Sequence, residues 1–275
     1  MDYETKPASD HPMPDLVKQL NLGFEDYLIP IHLDLPYFLT MLRKDGTDLT
    51  VSRVLIADGV PAGIALIARR GWTSRLAAMG ISPEWRGKGA GTWFMNELLR
   101  EARERGEREM VLEVIEQNEP AVALYTRSGF EIVRRLVGLI RRDAQEPNAA
   151  NQLEELDLRE MARLVWTYGL PDLPWQISAE SIAQMNPPAC AYRDGPAVVA
   201  ISNPEAEHVA VWSLLVMPEA RGRHLGTRML RNIIAQFPGK TWHVPAVCPE
   251  GFARTFEQAG FEKESLTQWQ MRMVL

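Results

Sequence analysis

Two short stretches, half a chain apart, carry nearly the same letters. "SPEWRGKGAGT" (Ser82 to Thr92) returns as "MPEARGRHLGT" (Met217 to Thr227), and "ALYTRSGFE" (Ala123 to Glu131) returns as "ARTFEQAGFE" (Ala253 to Glu262). Two repeats in the same order constrain the fold strongly, because each copy must be able to form the same supersecondary unit. Their internal spacing is nearly kept, with 39 residues from Arg86 to Tyr125 and 35 from Arg221 to Phe256. A chain of 275 residues accommodates two medium domains. The break between them is expected in "RDAQEPNAANQ" (Arg142 to Gln152), which is polar, contains Pro147 and lacks apolar periodicity. The expected domains are therefore 1–144 and 152–275.

Within each copy the pattern is mixed α and β. In the first, Leu16, Leu20, Phe24 and Tyr27 recur at helical spacing, and a second helix is expected over Pro36 to Lys44. The runs "VSRVLIADG" and "PAGIALIARRG", joined by an Asp58-Gly59 turn, and "TSRLAAMGIS" predict three strands. Phe94, Leu98 and Ala102 mark a helix that Gly106 terminates. "EMVLEVIEQ" predicts a central strand, "PAVALYTRSG" a helix with Pro120 in its first turn and Gly129 at its end, and "FEIVRRLVGLIRR" a strand or hairpin. The second copy runs the same course, from helices near Glu154 to Tyr168 and Ala179 to Met185 to a final "LTQWQMRMV" strand. The fold class is α/β, an α+β mixed and mainly antiparallel sheet flanked by helices, present twice.

Composition narrows the function classes. Cys190 and Cys248 lie far apart without metal-ligand spacing, which argues against a disulfide framework or a metal site. The polar start "MDYETKPASDHPMP" lacks a signal-peptide pattern and no apolar run reaches membrane-spanning length, so a cytoplasmic protein without a membrane partner is expected. A net charge of −6 argues against a nucleic-acid partner and mildly favours cationic ones such as amines.

The glycine-rich turn is the strongest chemical signal. A strand, then Gly87, Gly89 and Gly91, then a helix aims backbone N–H groups and the positive end of a helix dipole at an anion. Arg86 and Lys88 add charge, and Thr92 a hydroxyl. A Walker A spacing is absent, which disfavours nucleoside-triphosphate hydrolysis. A dinucleotide fingerprint follows the first strand of its unit, whereas here helices and strands come before the turn. A plain flexible loop is the alternative that the turn alone leaves open.

Taken with the helix and "LEVIEQNEPAVALYTRSGF" behind it, "GISPEWRGKGAGT" resembles the GCN5-related N-acetyltransferase (GNAT) superfamily. Its signature is Arg or Gln, two residues, Gly, one residue, then Gly or Ala, filled here by Arg86, Gly89 and Gly91. The second segment is similar to the branch of ribosomal-protein N-terminal acetyltransferases. The resemblance implies transfer of an acetyl group from acetyl coenzyme A to a small-molecule or peptide amine. It implies that Arg86, Gly87, Lys88, Gly89, Ala90, Gly91 and Thr92 hold the pyrophosphate, that Met79 to Ile81 pair with the pantetheine amides by strand addition, and that Asn118 hydrogen-bonds the same arm. Otherwise Asn118 is a helix cap. The resemblance makes Tyr125 the acid that protonates the leaving thiolate. Glu113, a carboxylate among apolar strand neighbours, becomes the general base; otherwise it is a surface residue or the partner of an arginine. Phe24 and Tyr27 fall where the superfamily shapes its acceptor pocket, although an apolar helix stripe is more often core. Neither cysteine lies in the motif, which favours direct attack by the amine over an acyl-cysteine intermediate. A noncatalytic acyl-coenzyme A sensor or scaffold is the rival, and it would need the phosphate turn alone.

The second copy departs from this pattern. His224 stands for Gly89 and Phe256 for Tyr125; by the register of the Gly-Phe pairs, Val244 stands for Glu113 and Pro249 for Asn118. The first copy is thus expected to be catalytic and the second to bind no coenzyme A in the usual way, serving acceptor binding, support or dimerisation; a homodimer is left open. His243 lies close enough in sequence to be a substitute base.

Overall fold

The computed structural model describes residues 1–30, 32–144 and 153–275, so most of the expected Arg142 to Gln152 break lies outside the described residues. In chain order the first copy contributes β1 (Tyr3–Pro7), α1 (Met13–Gly23), α2 (Leu35–Asp45), β2 (Arg53–Ala57), β3 (Val60–Arg70), β4 (Thr73–Ile81), α3 (Ala90–Glu104), β5 (Glu109–Ile115), α4 (Glu119–Arg127) and β6 (Glu131–Ala144). The second contributes β7 (Glu154–Leu156), α5 (Leu158–Tyr168), α6 (Ala179–Ala183), β8 (Cys190–Asp194), β9 (Ala197–Ile201), β10 (His208–Val216), α7 (Leu225–Gln236), β11 (Lys240–Pro249), α8 (Ala253–Glu257) and β12 (Glu262–Val274). No helix among the described residues is long and apolar enough to cross a membrane.

The compact units do not follow the halves of the chain. Unit 1 is Met1–Val133 with Trp269–Leu275, and unit 2 is Arg134–Gln268. β6 therefore runs largely in unit 2, and the second half of β12 in unit 1, so the unit boundaries at 133/134 and 268/269 fall inside the closing strands. In unit 1 the strand order is β1-β2-β3-β4-β5 followed by the end of β12; in unit 2 it is β6-β11-β10-β9-β8-β7. Antiparallel pairs dominate, while β4–β5 and β10–β11 are parallel. In unit 1, α3 and α4 pack on one face with Leu98, Leu112, Tyr125 and Met271; α1 and α2 cover the other with Leu16, Phe38 and Ile64.

The expected helix through Tyr27 stops short. α1 ends at Gly23, leaving Phe24 and Tyr27 in the turn that follows, where Asp26 adopts a left-handed φ of 60°. The helix end packs closely on β4: a Cβ on Gly23 would lie 2.7 Å from Cα of Gly80, so only glycine fits there. The N-terminal strand β1 is an addition to the expected elements, an edge strand paired with β2 from Tyr3↔Ala57 to Pro7↔Arg53.

Candidate active site

In each unit the two parallel central strands pair briefly and then part. β4 and β5 pair from Thr73↔Glu109 to Arg75↔Val111, so beyond Arg75 the β5-facing edge of β4, including Met79 to Ile81, opens into a fork. Its other edge remains bonded to β3, with Ala65↔Met79 and Gly63↔Ile81. A freed strand edge offers N–H and C=O groups to an extended amide-bearing chain.

The glycine turn lies at the end of the β4 arm. Gly87 (φ 71°) and Gly89 (φ 85°) are left-handed, and Gly89 is the N-cap of α3 without a side-chain cap bond. The first-turn N–H groups of α3, on Ala90, Gly91 and Thr92, therefore meet no capping side chain, and the dipole favours an anion there. A Cβ at Gly87 or Gly89 would touch nothing within 4 Å, so glycine serves these positions through its backbone freedom. Arg86 is a clamp: Nε donates to the carbonyl of Ile81 (2.9 Å), and a terminal nitrogen donates to those of Gly23 (3.2 Å) and Glu25 (2.9 Å). It ties the turn to the end of α1. Lys88 Nζ lies 5.3 Å from the centre of the Trp85 ring.

Four of the expected residues converge. Asn118 caps α4, accepting from the Ala121 N–H at 3.3 Å, and its side chain is also hydrogen-bonded to the Tyr27 hydroxyl. Phe24 packs edge-on against Tyr27, with ring centres 5.0 Å apart. Tyr125 is buried, edge-on to Phe130, and burial followed by the neighbouring Tyr27 pushes its phenol well above the ordinary tyrosine range. Burial likewise raises Tyr27, against the Asn118 hydrogen bond. Both phenols thus hold their protons at neutral pH.

Glu113 has a different setting. Successive strand residues face opposite sides; Leu112 and Val114 join the core that contains Tyr125, whereas Glu113 meets Arg75 Nε at 2.8 Å with its side chain only 2% exposed. Arg75 also meets Asp45 of α2 at 3.0 Å. Burial alone would lower the arginine pKa, but the two carboxylates outweigh it and keep the guanidinium charged. The pairing with an arginine left open by sequence is the observed one, and it sits where β4 and β5 part. An arginine inside the apolar run "SRLAAM" was the available signal for this buried ion group.

Unit 2 repeats the scaffold. Arg221 donates to the carbonyls of Val216 (3.0 Å) and Tyr168 (2.6 Å) as Arg86 does to Ile81 and Gly23. His224 keeps the left-handed cap at φ 56°. Phe256 stands edge-on to Phe261 at 5.7 Å, matching Tyr125 and Phe130 at 5.8 Å. β10 and β11 pair from His208↔Thr241 to Ala210↔His243, which aligns Pro245, not Val244, with Glu113. The change arises because the second copy is one residue shorter between the strand and the Gly-Phe pair. His243 is not among the residues that line the cavity in this fork, and burial lowers its imidazole pKa against the opposing effect of Glu264.

These features define a duplicated α/β unit with a strand fork and a glycine- or histidine-capped helix N-terminus in each copy, and with a buried tyrosine beside the fork in unit 1. The model of the Acetyltransferase (GNAT) family matches residues 16–130 and 158–246, and the chain belongs to that family. A streptothricin acetyltransferase of Streptomyces lavendulae is 41% identical over 76 residues, 27% of this chain and 40% of that protein. A mycothiol acetyltransferase of Thermobifida fusca (strain YX) is 33% identical over 93 residues, 34% of this chain and 23% of that protein. The chain thus matches less than half the length of these curated relatives. Among solved structures, a GCN5-related N-acetyltransferase from Sphaerobacter thermophilus shares the fold with a TM-score of 0.69 at 16% identity, over 99% of this chain and 95% of its own. A tandem GNAT protein from the clavulanic acid biosynthesis pathway gives 0.65 at 15% identity, over 99% and 98%.

Proposed function

We propose that unit 1 is an N-acetyltransferase that moves an acetyl group from acetyl coenzyme A to a primary amine by direct attack. The observation that carries this is the convergence of a buried protonated Tyr125, Asn118 and Tyr27 beside a strand fork whose far end is an uncapped helix N-terminus. The open cradle at Gly87 and Gly89 fits a pyrophosphate, and the free edge at Met79 to Ile81 fits a pantetheine arm. Acetyl coenzyme A, when bound, supplies the activated thioester. The α3 N–H groups, with Lys88 and Thr92 beside them, hold its anionic end, and Asn118 holds the arm. As the amine nitrogen bonds to the carbonyl carbon and the C–S bond breaks, Tyr125 gives its proton to the sulfur. The proton released by the nitrogen goes to Glu113 through water, a role that Glu113 combines with its ion pair.

Phe24 and Tyr27 border the acceptor, and the partial likeness to a streptothricin acetyltransferase supports a small-molecule amine. An α-amine with a pKa near ~8 needs less help from a base than a lysine near ~10.4. Incubation with acetyl coenzyme A and an amine panel, followed by free-thiol release, tests the proposal. Amine-dependent thiol release supports it; no release with any amine leaves unit 1 a noncatalytic binder and defeats it.

A further inference from the structure

Unit 2 retains a cavity of about 470 Å³. It lies in the fork of β10 and β11, bounded by Trp212, Leu214 and Val216 on one arm, Leu173 above, and Phe252 and Phe256 on the helix side. No aspartate, glutamate or lysine lines it among the described residues, and the Arg221 guanidinium in its wall is occupied by the carbonyls of Val216 and Tyr168. Where unit 1 has Glu113, Asn118 and Tyr125, this wall has Pro245 by strand pairing, and Pro249 and Phe256 by the register of the Gly-Phe pairs. All three differences run one way. Each replaces a polar or ionisable side chain by an apolar one, while the cleft itself, the Arg221 clamp and the left-handed cap are kept.

A fork that merely lost its chemistry would be free to fill in or to accumulate polar residues. This one stays open, falls in the size range of small-molecule sites, and presents mostly apolar surface, with Tyr168, Ser213, His224, Thr227, Thr255 and Gln258 as its polar residues besides Arg221. A polyanion with an amide-rich arm gains nothing from the three replacements, whereas an apolar molecule gains contact at each of them. We propose that the unit 2 cavity is a binding site for an uncharged, largely apolar small molecule of roughly 20 non-hydrogen atoms, distinct in ligand chemistry from the unit 1 site. The site performs no transfer, since Phe256 has no proton to give. It stands on unit 2 alone and survives or fails independently of acetyl transfer by unit 1.

The test is a titration of the whole chain with N-phenyl-1-naphthylamine, a neutral fluorescent probe. Saturable enhancement at one site per chain is expected, unchanged by millimolar coenzyme A. Ser213→Trp and Thr255→Trp fill the cavity, and each should weaken binding at least about tenfold while thiol release by unit 1 continues. Thr255→Val keeps the side-chain shape and removes the hydroxyl, so the probe should bind as tightly or more tightly even if the tryptophan variants fail to melt cooperatively. Non-saturable signal, displacement by coenzyme A, or tenfold loss in Thr255→Val would each overturn the proposal, as would unchanged affinity in a folded tryptophan variant.

Discussion

Tyr125 and Arg75 are both buried ionisable groups in unit 1, and their environments give them opposite duties. Burial holds the Tyr125 phenol protonated, the form that a general acid needs. Tyr125→Phe should therefore lower kcat by roughly 10²-fold or more with little change in the Kd of acetyl coenzyme A. Because the raised pKa moves loss of the proton upward, the wild-type rate should show no tyrosine limb as pH rises through ~10, the ordinary value. A limb at that pH in a kcat profile would show that another group supplies the proton. Arg75 is held charged between Glu113 and Asp45, so removing it takes a cationic partner from two largely buried carboxylates. Arg75→Met should destabilise unit 1 by about 3–5 kcal/mol in denaturant melts, and adding Glu113→Gln should restore part of the loss. Glu113→Gln alone separates its two roles: a base shows a turnover loss that is greatest for fully protonated acceptors, whereas a clamp shows a lowered melting midpoint with turnover intact. Sequence carried much of this scale. Tyr125, Asn118 and the glycines stand in a local motif, and their spacing marks them as candidates. The partners of Glu113 were not legible, because Arg75 is 38 residues away and strand pairing, not periodicity, brings the two together.

At the scale of elements, turn and helix form one device in each unit, and the left-handed cap position is its most demanding residue. Gly89 and His224 hold this position at φ 85° and 56°. Open space around Gly89 means that a side chain there meets a conformational penalty before any steric one. Gly89→Val should cost about 1–2 kcal/mol of stability from the left-handed strain of a β-branched residue. It should also raise the coenzyme A Kd strongly, since the strained cap distorts the first turn of α3 and its side chain projects toward the anion. Calorimetry on the folded variant checks both, and unchanged affinity would defeat the assignment of this turn. Histidine is among the residues that tolerate the left-handed region, so the unit 2 turn survives a replacement that looks disruptive in sequence. Helical spacing misled over Phe24 and Tyr27 for a related reason. The apolar period continues past Gly23, but the approach of Gly23 to Gly80 and the capture of the Gly23 and Glu25 carbonyls by Arg86 end the helix. A sequence pattern records which residues turn inward and says nothing of what claims the backbone.

For the whole molecule, the exchange of closing strands is the feature that no repeat analysis could show. The ends of β6 and β12 carry similar alternation, so the pattern cannot tell which unit either of them completes; only pairing decides. Unit 1 consequently depends on the last seven residues of the chain, Trp269–Leu275. Met271 is fully buried in the core that holds Tyr125, Met273 lies against Gly129 at the end of α4, and the Leu275 N–H donates to the Arg108 carbonyl at 2.9 Å. Met271→Ala should cost about 2–5 kcal/mol, the range for a buried methionine truncated in a packed core. A chain ending at Gln268 loses that contact, its neighbours and a strand beside β5, which exceeds what a domain of 5–15 kcal/mol total stability readily absorbs. Unit 2 contains Arg134–Gln268 and loses nothing of its own. The truncated protein should therefore release no thiol from acetyl coenzyme A and lose the unfolding transition of unit 1, while N-phenyl-1-naphthylamine still binds saturably to unit 2. Two denaturation transitions followed by intrinsic fluorescence, with probe binding measured alongside, give the readout. Full acetyl transfer in the truncated chain would mean that unit 1 closes without β12, and that the first copy's own strand can take its place.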